Sequence, residues 1–313
     1  MEHIVFVLTR LWRYHGLYFL KPNDAINDTL TSSLLHRLDW SGQFLEIGSG
    51  DGVFSYVMHG GSFPLWFDRY LLTDLCKTDI YDIHHDGVFK PSKILKKPDI
   101  VLSIDAKISH VKKIKEIQFS KSAVVSNYEY LPLESNVFKN VFYYTPHGLV
   151  NHAEAMCEAS RVMTPNGRML ILLFNSAIKK SFLCHRLSKI TPQPFSSYFS
   201  KLDNGRCDEI MGLAKSPEEW RIFFLRHGLE IEKSYSGLST FAWKVYDIQT
   251  RPILKQLVNF FNILPPKFRV IAKLSWMIFF YPYLIIFYLF YSNDFFKLNR
   301  ANCYIAYQLK KVD

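Results

Sequence analysis

Three glycines at alternate positions, Gly48, Gly50 and Gly52, are the residues whose spacing most clearly suggests chemistry. The apolar run Phe44-Leu45 leads into them, an acid, Glu46, precedes them, and Val53-Phe54-Ser55-Tyr56-Val57-Met58 follows as a helix start. A strand that enters a tight glycine turn and then a helix is how an open α/β sheet approaches a nucleotide-like ligand. Glycine permits positive φ and lets a ligand come close with no Cβ in the way. A second cluster, Asp79, Asp82, His84, His85 and Asp86, invites a metal reading. Adjacent histidines point in different directions in any regular element, and the spacing matches no metal motif, so a solvated loop is expected.

The elements that must hold the turn follow from the pattern of the chain. Residues 3–20 read as an amphipathic helix and Asn23 to Leu38 as another, with Leu30, Leu34, Leu35 and Leu38 at helical spacing. Strands are expected at Pro98–Asp105, Ser122–Asn127, Phe138–Tyr144, Arg168–Phe174 and Leu229–Tyr235, with helices at Lys107–Ile117 and His152–Val162 between them. Alternating β and α predicts a parallel sheet with helices on both faces. Ser216 followed by Pro217 marks a helix start, Ser216 as N-cap. The polar, proline-containing stretch from Asn175 to Gly205 is the kind of connection that often covers a site.

The 313 residues carry a net charge of +10 and 16% aromatic residues. Such a balance fits a nucleic acid, an anionic membrane or an acidic substrate, or simple solubility. The lysines are dispersed rather than interleaved with aromatics along a stripe, which argues against nucleic acid. Cys76, Cys157, Cys184, Cys207 and Cys303 are scattered with no CxxC pair, which argues against a disulfide framework and a structural zinc site and for a reducing compartment. Arg10, Arg13 and His15 interrupt the apolar N-terminus, which has no small-residue cleavage site and is not read as a signal peptide.

Three blocks in order resemble the class I S-adenosylmethionine-dependent methyltransferases, especially the group with the type-11 methyltransferase domain. Glu46-Ile47-Gly48-Ser49-Gly50-Asp51-Gly52 is similar to the E/DxGxGxG loop. The run from Val124 to Leu133 is similar to VxGDAExLPF, and that from Glu158 to Arg168 to ExxRVLKPGGR. The resemblance covers roughly Leu34 to Phe174, more weakly Ser216 to Tyr235 and the last strand. It implies a Rossmann-like doubly wound α/β sheet of about seven strands with an antiparallel last strand, and S-adenosylmethionine as cofactor. By that resemblance Gly48, Gly50 and Gly52 pass under the methionine part and ribose, and Glu46 lies near the amino-acid end. Asp105 accepts the ribose hydroxyls, and Asn127 with the Tyr128 backbone fixes the adenine. Asp74 competes with Asp105 for the ribose, but Asp105 ends the better strand at the better distance from the Asn127 block. Asn127 stands where the family has an acid, although an amide oxygen still accepts a hydrogen bond. Lys139 replaces an Asp, and Asn166 replaces a glycine and tolerates left-handed geometry. Methyl transfer needs a base only for a weakly acidic acceptor. Tyr143, Tyr144, His147 and His152 lie beyond the fourth strand, where such sheets place ligands. His147 is the first choice as base because imidazole titrates near neutral pH, with Tyr144 beside it.

Past Ser239 the chain turns hydrophobic. Arg251 to Asn262 is an amphipathic helix, and Leu274 to Tyr291 carries no charge over about the length of a transmembrane helix. Lys267, Arg269 and Lys273 precede it. The alternating run Asn302 to Lys310 looks like the last strand of the sheet, so the chain must return to the side it left. One full crossing cannot do that, and Pro282 offers a break. A re-entrant or interfacial helix pair is expected, or a packed cap or dimer contact. The domains read as N-terminal helices 1–40 and a core 41–238 (insertion about 62–98, lid-like connection about 175–215). A hydrophobic helical insertion, 239–300, and a final strand, 301–313, follow. The expected enzyme sits on the cytoplasmic face of a membrane through 241–296 and methylates a lipid, isoprenoid or lipid-linked glycan. The alternatives are a soluble enzyme acting on a sugar or small metabolite, and a non-catalytic scaffold subunit. Oligomeric state stays open.

Overall fold

The computed structural model describes residues 2–38, 40–70, 100–144, 151–295 and 302–312. Asp74, Cys76, the 79–86 cluster and His147 lie outside the described residues. Two helices open the chain, α1 (Glu2–Leu17) and α2 (Pro22–Arg37), followed by β1 (Phe44–Ile47), α3 (Val53–Met58), β2 (Leu102–Asp105), α4 (Ile108–Ile117) and β3 (Ser122–Val125). Then come β4 (Phe138–Tyr143), α5 (His152–Val162) and β5 (Met163–Phe174). Three short helices, α6 (Leu183–Ile190), α7 (Phe195–Asp203) and α8 (Arg206–Leu213), fill the polar connection. α9 (Pro217–Arg226) and β6 (Leu229–Ser236) lead to α10 (Thr240–Ile248), α11 (Leu254–Ile263), α12 (Pro266–Phe295) and β7 (Tyr304–Lys311).

The sheet has seven strands in the order β3-β2-β1-β4-β5-β7-β6. β1 to β5 pair in parallel, and β7 runs antiparallel between β5 and β6. The doubly wound α/β sheet with an antiparallel last strand and a helical insertion before it is therefore the fold. Strand periodicity explains its two cores. On β5, Leu170, Leu172 and Phe174 face the core shared with α1 to α4 and α12. Met169, Ile171 and Leu173 face the core shared with α5 and α9. α9 begins as expected, with Ser216 and Glu219 closing a reciprocal capping box and Pro217 in the first turn.

The hydrophobic insertion differs from expectation. α12 is one continuous helix that runs through Pro282, not a pair broken there. Proline removes one helical hydrogen bond and crowds the preceding turn, but packing on both sides holds this helix together. Before Pro282, Trp276 Nε1 donates to Phe19 O at 2.8 Å and Tyr281 Oη to Leu8 O at 2.8 Å. After it, Leu284, Tyr288 and Tyr291 are buried against the core that α1 and α2 share. The basic residues ahead of the apolar run are also mostly spoken for. Arg269 is buried and caps the end of α11 through Phe261 O and Leu264 O, while Lys273 donates to Phe67 O. Lys267 is exposed.

Candidate functional site

The carboxyl ends of β1, β2 and β4 converge on the glycine turn, and the three glycines do three different things there. All have positive φ, +71° at Gly48, +56° at Gly50 and +75° at Gly52. A Cβ on Gly48 would stand 2.9 Å from the Tyr144 carbonyl oxygen, and one on Gly52 would run into the Phe119 ring. A Cβ on Gly50 would meet nothing within 4 Å. Gly48 and Gly52 are therefore closed into the fold, and Gly50 faces open space.

Asp105 is buried at the end of β2, and its carboxylate serves the turn directly. Oδ2 accepts from Gly50 N at 2.8 Å and from Tyr128 Oη at 3.2 Å. Oδ1 accepts from Lys107 N at 2.9 Å and lies 3.0 Å from His110 Nδ1. The hydroxyl of Tyr128, expected to act through its backbone, thus lies against the carboxylate expected to take the ribose. It also accepts from Ala106 N at 3.2 Å. Burial first, and the Asp105 charge second, push the Tyr128 phenol well above its usual range. Behind it, the Tyr143 hydroxyl is buried with no partner among the described residues, and its ring stands edge-on to Tyr128 at 6.1 Å.

Glu46 is brought to the turn but faces inward. It is fully buried, with Ser55 donating to Oε1 and Ser103 to Oε2 at 3.3 Å. Burial raises its carboxyl to about 8, against the lowering effect of the two serines. Asn127 is exposed, and its side-chain oxygen accepts from Glu129 N at 3.1 Å within its own loop. The second and third blocks are tied together by Arg161. Its guanidinium meets Glu158, Leu133 O at 2.7 Å and Leu131 O at 3.0 Å, and Glu158 accepts from Leu131 N. Asn166 takes the left-handed conformation, φ +59°, that its place in the third block requires.

Beside the glycine turn runs a polar chain that motif reading missed. Asp51, inside the glycine turn, pairs with buried Arg69, and Arg69 donates to Tyr18 Oη at 3.0 Å. Tyr18 also hydrogen-bonds Asp28 of α2. Tyr144 Oη donates to Asp28 Oδ1 at 2.9 Å, with the Tyr144 ring stacked on Phe54 at 4.7 Å. Burial, followed by Asp24, raises Asp28 to about 7 against the lowering hydrogen bonds of Tyr144 and Tyr18. Tyr144 therefore reaches a carboxylate poised near neutral pH. His152 turns elsewhere, onto Trp220 at 6.0 Å. A signal for Asp28 existed in α2, where Asp28, Thr29, Thr31, Ser32 and Ser33 are all buried. A helix this polar that must still be covered is hiding its polar groups for a reason.

No protein-family model matches the chain, and no curated protein matches it. Solved structures similar to it include a Galdieria sulphuraria protein provisionally described as a sarcosine dimethylglycine methyltransferase. That pair has a TM-score of 0.49 at 11% identity, over 92% of this chain and 85% of the other. A geranyl diphosphate C-methyltransferase from Streptomyces coelicolor A3(2) gives a TM-score of 0.43 at 11% identity, over 90% and 75%. The [4+2]-cyclase SpnF gives 0.46 at 12% identity, over 91% and 80%. The assignment to the class I methyltransferase fold rests on this chain's own strand order and antiparallel β7. A fold of this kind hosts more than one reaction, so function must be argued from the site.

Proposed function

We propose that this chain transfers a methyl group from S-adenosylmethionine to an apolar, lipid-linked acceptor presented at a membrane surface. The observation that carries the cofactor half is the carboxyl edge of the sheet. Three left-handed glycines sit there with open space over Gly50 and with Asp105 at the end of the neighbouring strand. The residues fit such a group. Gly50 offers the cradle, the buried Tyr143 hydroxyl lacks a partner among the described residues, and Asp105 offers a free acceptor position on Oδ2 once the Tyr128 hydroxyl moves off it. Asn127 and the Tyr128 backbone would hold the adenine, and Glu46 would support the turn from beneath. When bound, the cofactor supplies an already activated methyl group. The chain's own residues then align the acceptor and exclude water.

For a hydroxyl acceptor, Tyr144 and Asp28 are the proton route. Tyr144 Oη takes the acceptor's proton as it passes its own to Asp28 Oδ1. Asp28, raised to about 7, ends neutral. His147 stays a candidate base by its sequence position, four residues after the end of β4.

The membrane half rests on α12. Pro266–Ser292 has a mean hydropathy of 1.8 and is 17% buried over its most apolar window. One face packs on α1 and α2, and the other leaves Ile278, Phe279, Ile286, Leu289 and Phe290 about 60% exposed. A helix seated on the protein along one side and bare along the other fits a monotopic anchor lying in the interface. A hollow of about 290 Å³ between α1, residues 62–67 and α12, lined by Trp12, Leu17, Phe67 and Met277 together with Arg13 and Lys273, would suit a tail that is mostly apolar. The test is transfer of label from methyl-tritiated S-adenosylmethionine to membrane extracts. Label in the organic phase supports the reading. Label only in water-soluble products supports a soluble metabolite enzyme, and no label supports a scaffold.

A further inference from the structure

The polar connection after β5 folds into α6, α7 and α8, and these bring together residues far apart in sequence. His185 lies on α6, Asp203 ends α7, and Cys207 and Asp208 stand in the first turn of α8. The corner between α7 and α8 is sharp, with Asn204 at φ +49° and Gly205 at φ +73°. It folds α8 back so that potential ligand atoms of His185, Cys207 and Asp208 lie within 4.8 Å of one another. Around a tetrahedral zinc, bond lengths of ~2.0–2.3 Å put ligand atoms about 3.5 Å apart. Binding therefore needs the ligand atoms to close by up to about 1.3 Å.

We propose that His185, Cys207 and Asp208 bind one divalent ion of the zinc class, with Asp203 orienting the imidazole from behind. The donor set is one nitrogen, one sulfur and one oxygen, which suits a borderline-soft ion and leaves a fourth position for water. Asp203 Oδ2 lies 3.3 Å from His185 Nδ1. Accepting from Nδ1–H, it leaves the Nε2 lone pair for the metal, the usual arrangement of a carboxylate behind a ligating histidine.

A second observation points to a cation independently. Asp203 is 5% exposed, and its Oδ1 is buried with no hydrogen-bond partner. An uncompensated carboxylate oxygen of this kind asks for positive charge nearby. The corner itself is firmly built. Arg251 donates to Leu202 O at 2.7 Å, Asp203 O at 2.9 Å and Asp247 Oδ1 at 2.8 Å, and Asp247 accepts from Cys184 N at 2.9 Å. Around Cys207, burial comes first, then Asp203, Asp208 and Asp247 oppose ionisation and Lys189 favours it, leaving the thiol at about 11. A divalent ion reverses that balance, and the thiol gives up its proton as the ion binds. The ion would staple α6 to α8.

The test uses the full chain, free of any histidine tag, with zinc measured after purification and cobalt(II) as spectroscopic probe. The expected result is about one bound equivalent and a thiolate-to-cobalt charge-transfer band with strong visible bands of a four-coordinate ion. Cys207→Ser removes the thiolate band, and Cys303→Ala keeps it. Asp208→Asn, at an exposed position that leaves folding intact, weakens the metal at least about tenfold. Asp203→Asn weakens it by about 10–100-fold while the thiolate band persists. A natively folded chain with no zinc and no cobalt band overturns the proposal. So does a cobalt spectrum unchanged by both Cys207→Ser and Asp208→Asn, which places the ion elsewhere.

Discussion

At the carboxyl edge of the sheet, Asp105 engages four groups of its own chain, and Glu46 and Asp28 are buried with partners of their own. Along α12, Ile278, Phe279, Ile286, Leu289 and Phe290 stand bare on one face. The first region holds polar groups that a ligand must take over from the protein. The second holds exposed apolar surface of the kind that marks an interaction site. Under the proposed function, ligand binding would take its specificity from exchange at the first region and its location from burial at the second.

The two regions should separate under mutation. The largest effect is expected from Asp28→Asn, which should lower transfer to a hydroxyl acceptor by about 10²–10⁴-fold and leave vesicle binding unchanged. In the unsubstituted enzyme the rate should rise with pH through about 7 as Asp28 loses its proton, and the variant should lose that limb. Next in size, Phe279→Asp with Ile286→Asp should weaken flotation with anionic vesicles by at least about 100-fold, since each change removes an apolar side chain worth ~2 kcal/mol. Both positions are exposed, so the melting temperature and cofactor affinity should hold. Lost cofactor affinity in that variant would join the two regions. A dimer that fails to float would put a second copy on α12 instead. Smaller again, Tyr128→Phe should tighten S-adenosylmethionine binding by about tenfold, because the hydroxyl no longer competes for Asp105. Weaker binding would make Tyr128 a ligand of the cofactor rather than a placeholder.

A separate effect falls on stability rather than on binding. Glu46 is raised from about 4.3 in the unfolded chain to about 8 in the fold. The folded state then binds more protons between those values, so stability falls as pH rises across that window. Glu46→Gln should flatten the fall in denaturant melts between about pH 4.3 and 8. A slope unchanged by the substitution would assign it to another group.

The glycine turn and Asp105 were legible because they are local. A strand, a turn and an acid at a strand end are contiguous patterns, and the structure places them at one edge. The second and third blocks were legible as motifs, but not their linkage, in which Arg161 of α5 holds the loop after β3 through the Leu131 and Leu133 carbonyls. What escaped was assembled from distant pieces. Asp28 meets Tyr144 across 116 positions, and no spacing rule spans that. His185, Cys207 and Asp208 fit no CxxC spacing, because a left-handed corner rather than sequence brings them together. Pro282 misled for a different reason. Local propensity predicted a break, but anchors on Leu8 of α1 and on Phe19, between α1 and α2, hold α12 continuous through it.

The central claim is that S-adenosylmethionine lies over Gly50. Calorimetry with the unsubstituted chain and Gly50→Ala tests it most directly. A Cβ there enters open space, and its backbone strain is roughly 1–2 kcal/mol, so the variant should fold. One-site binding in the unsubstituted chain, lost in a folded Gly50→Ala, is the predicted result. A folded chain that gives no heat with S-adenosylmethionine, or a variant that binds as tightly, would contradict it.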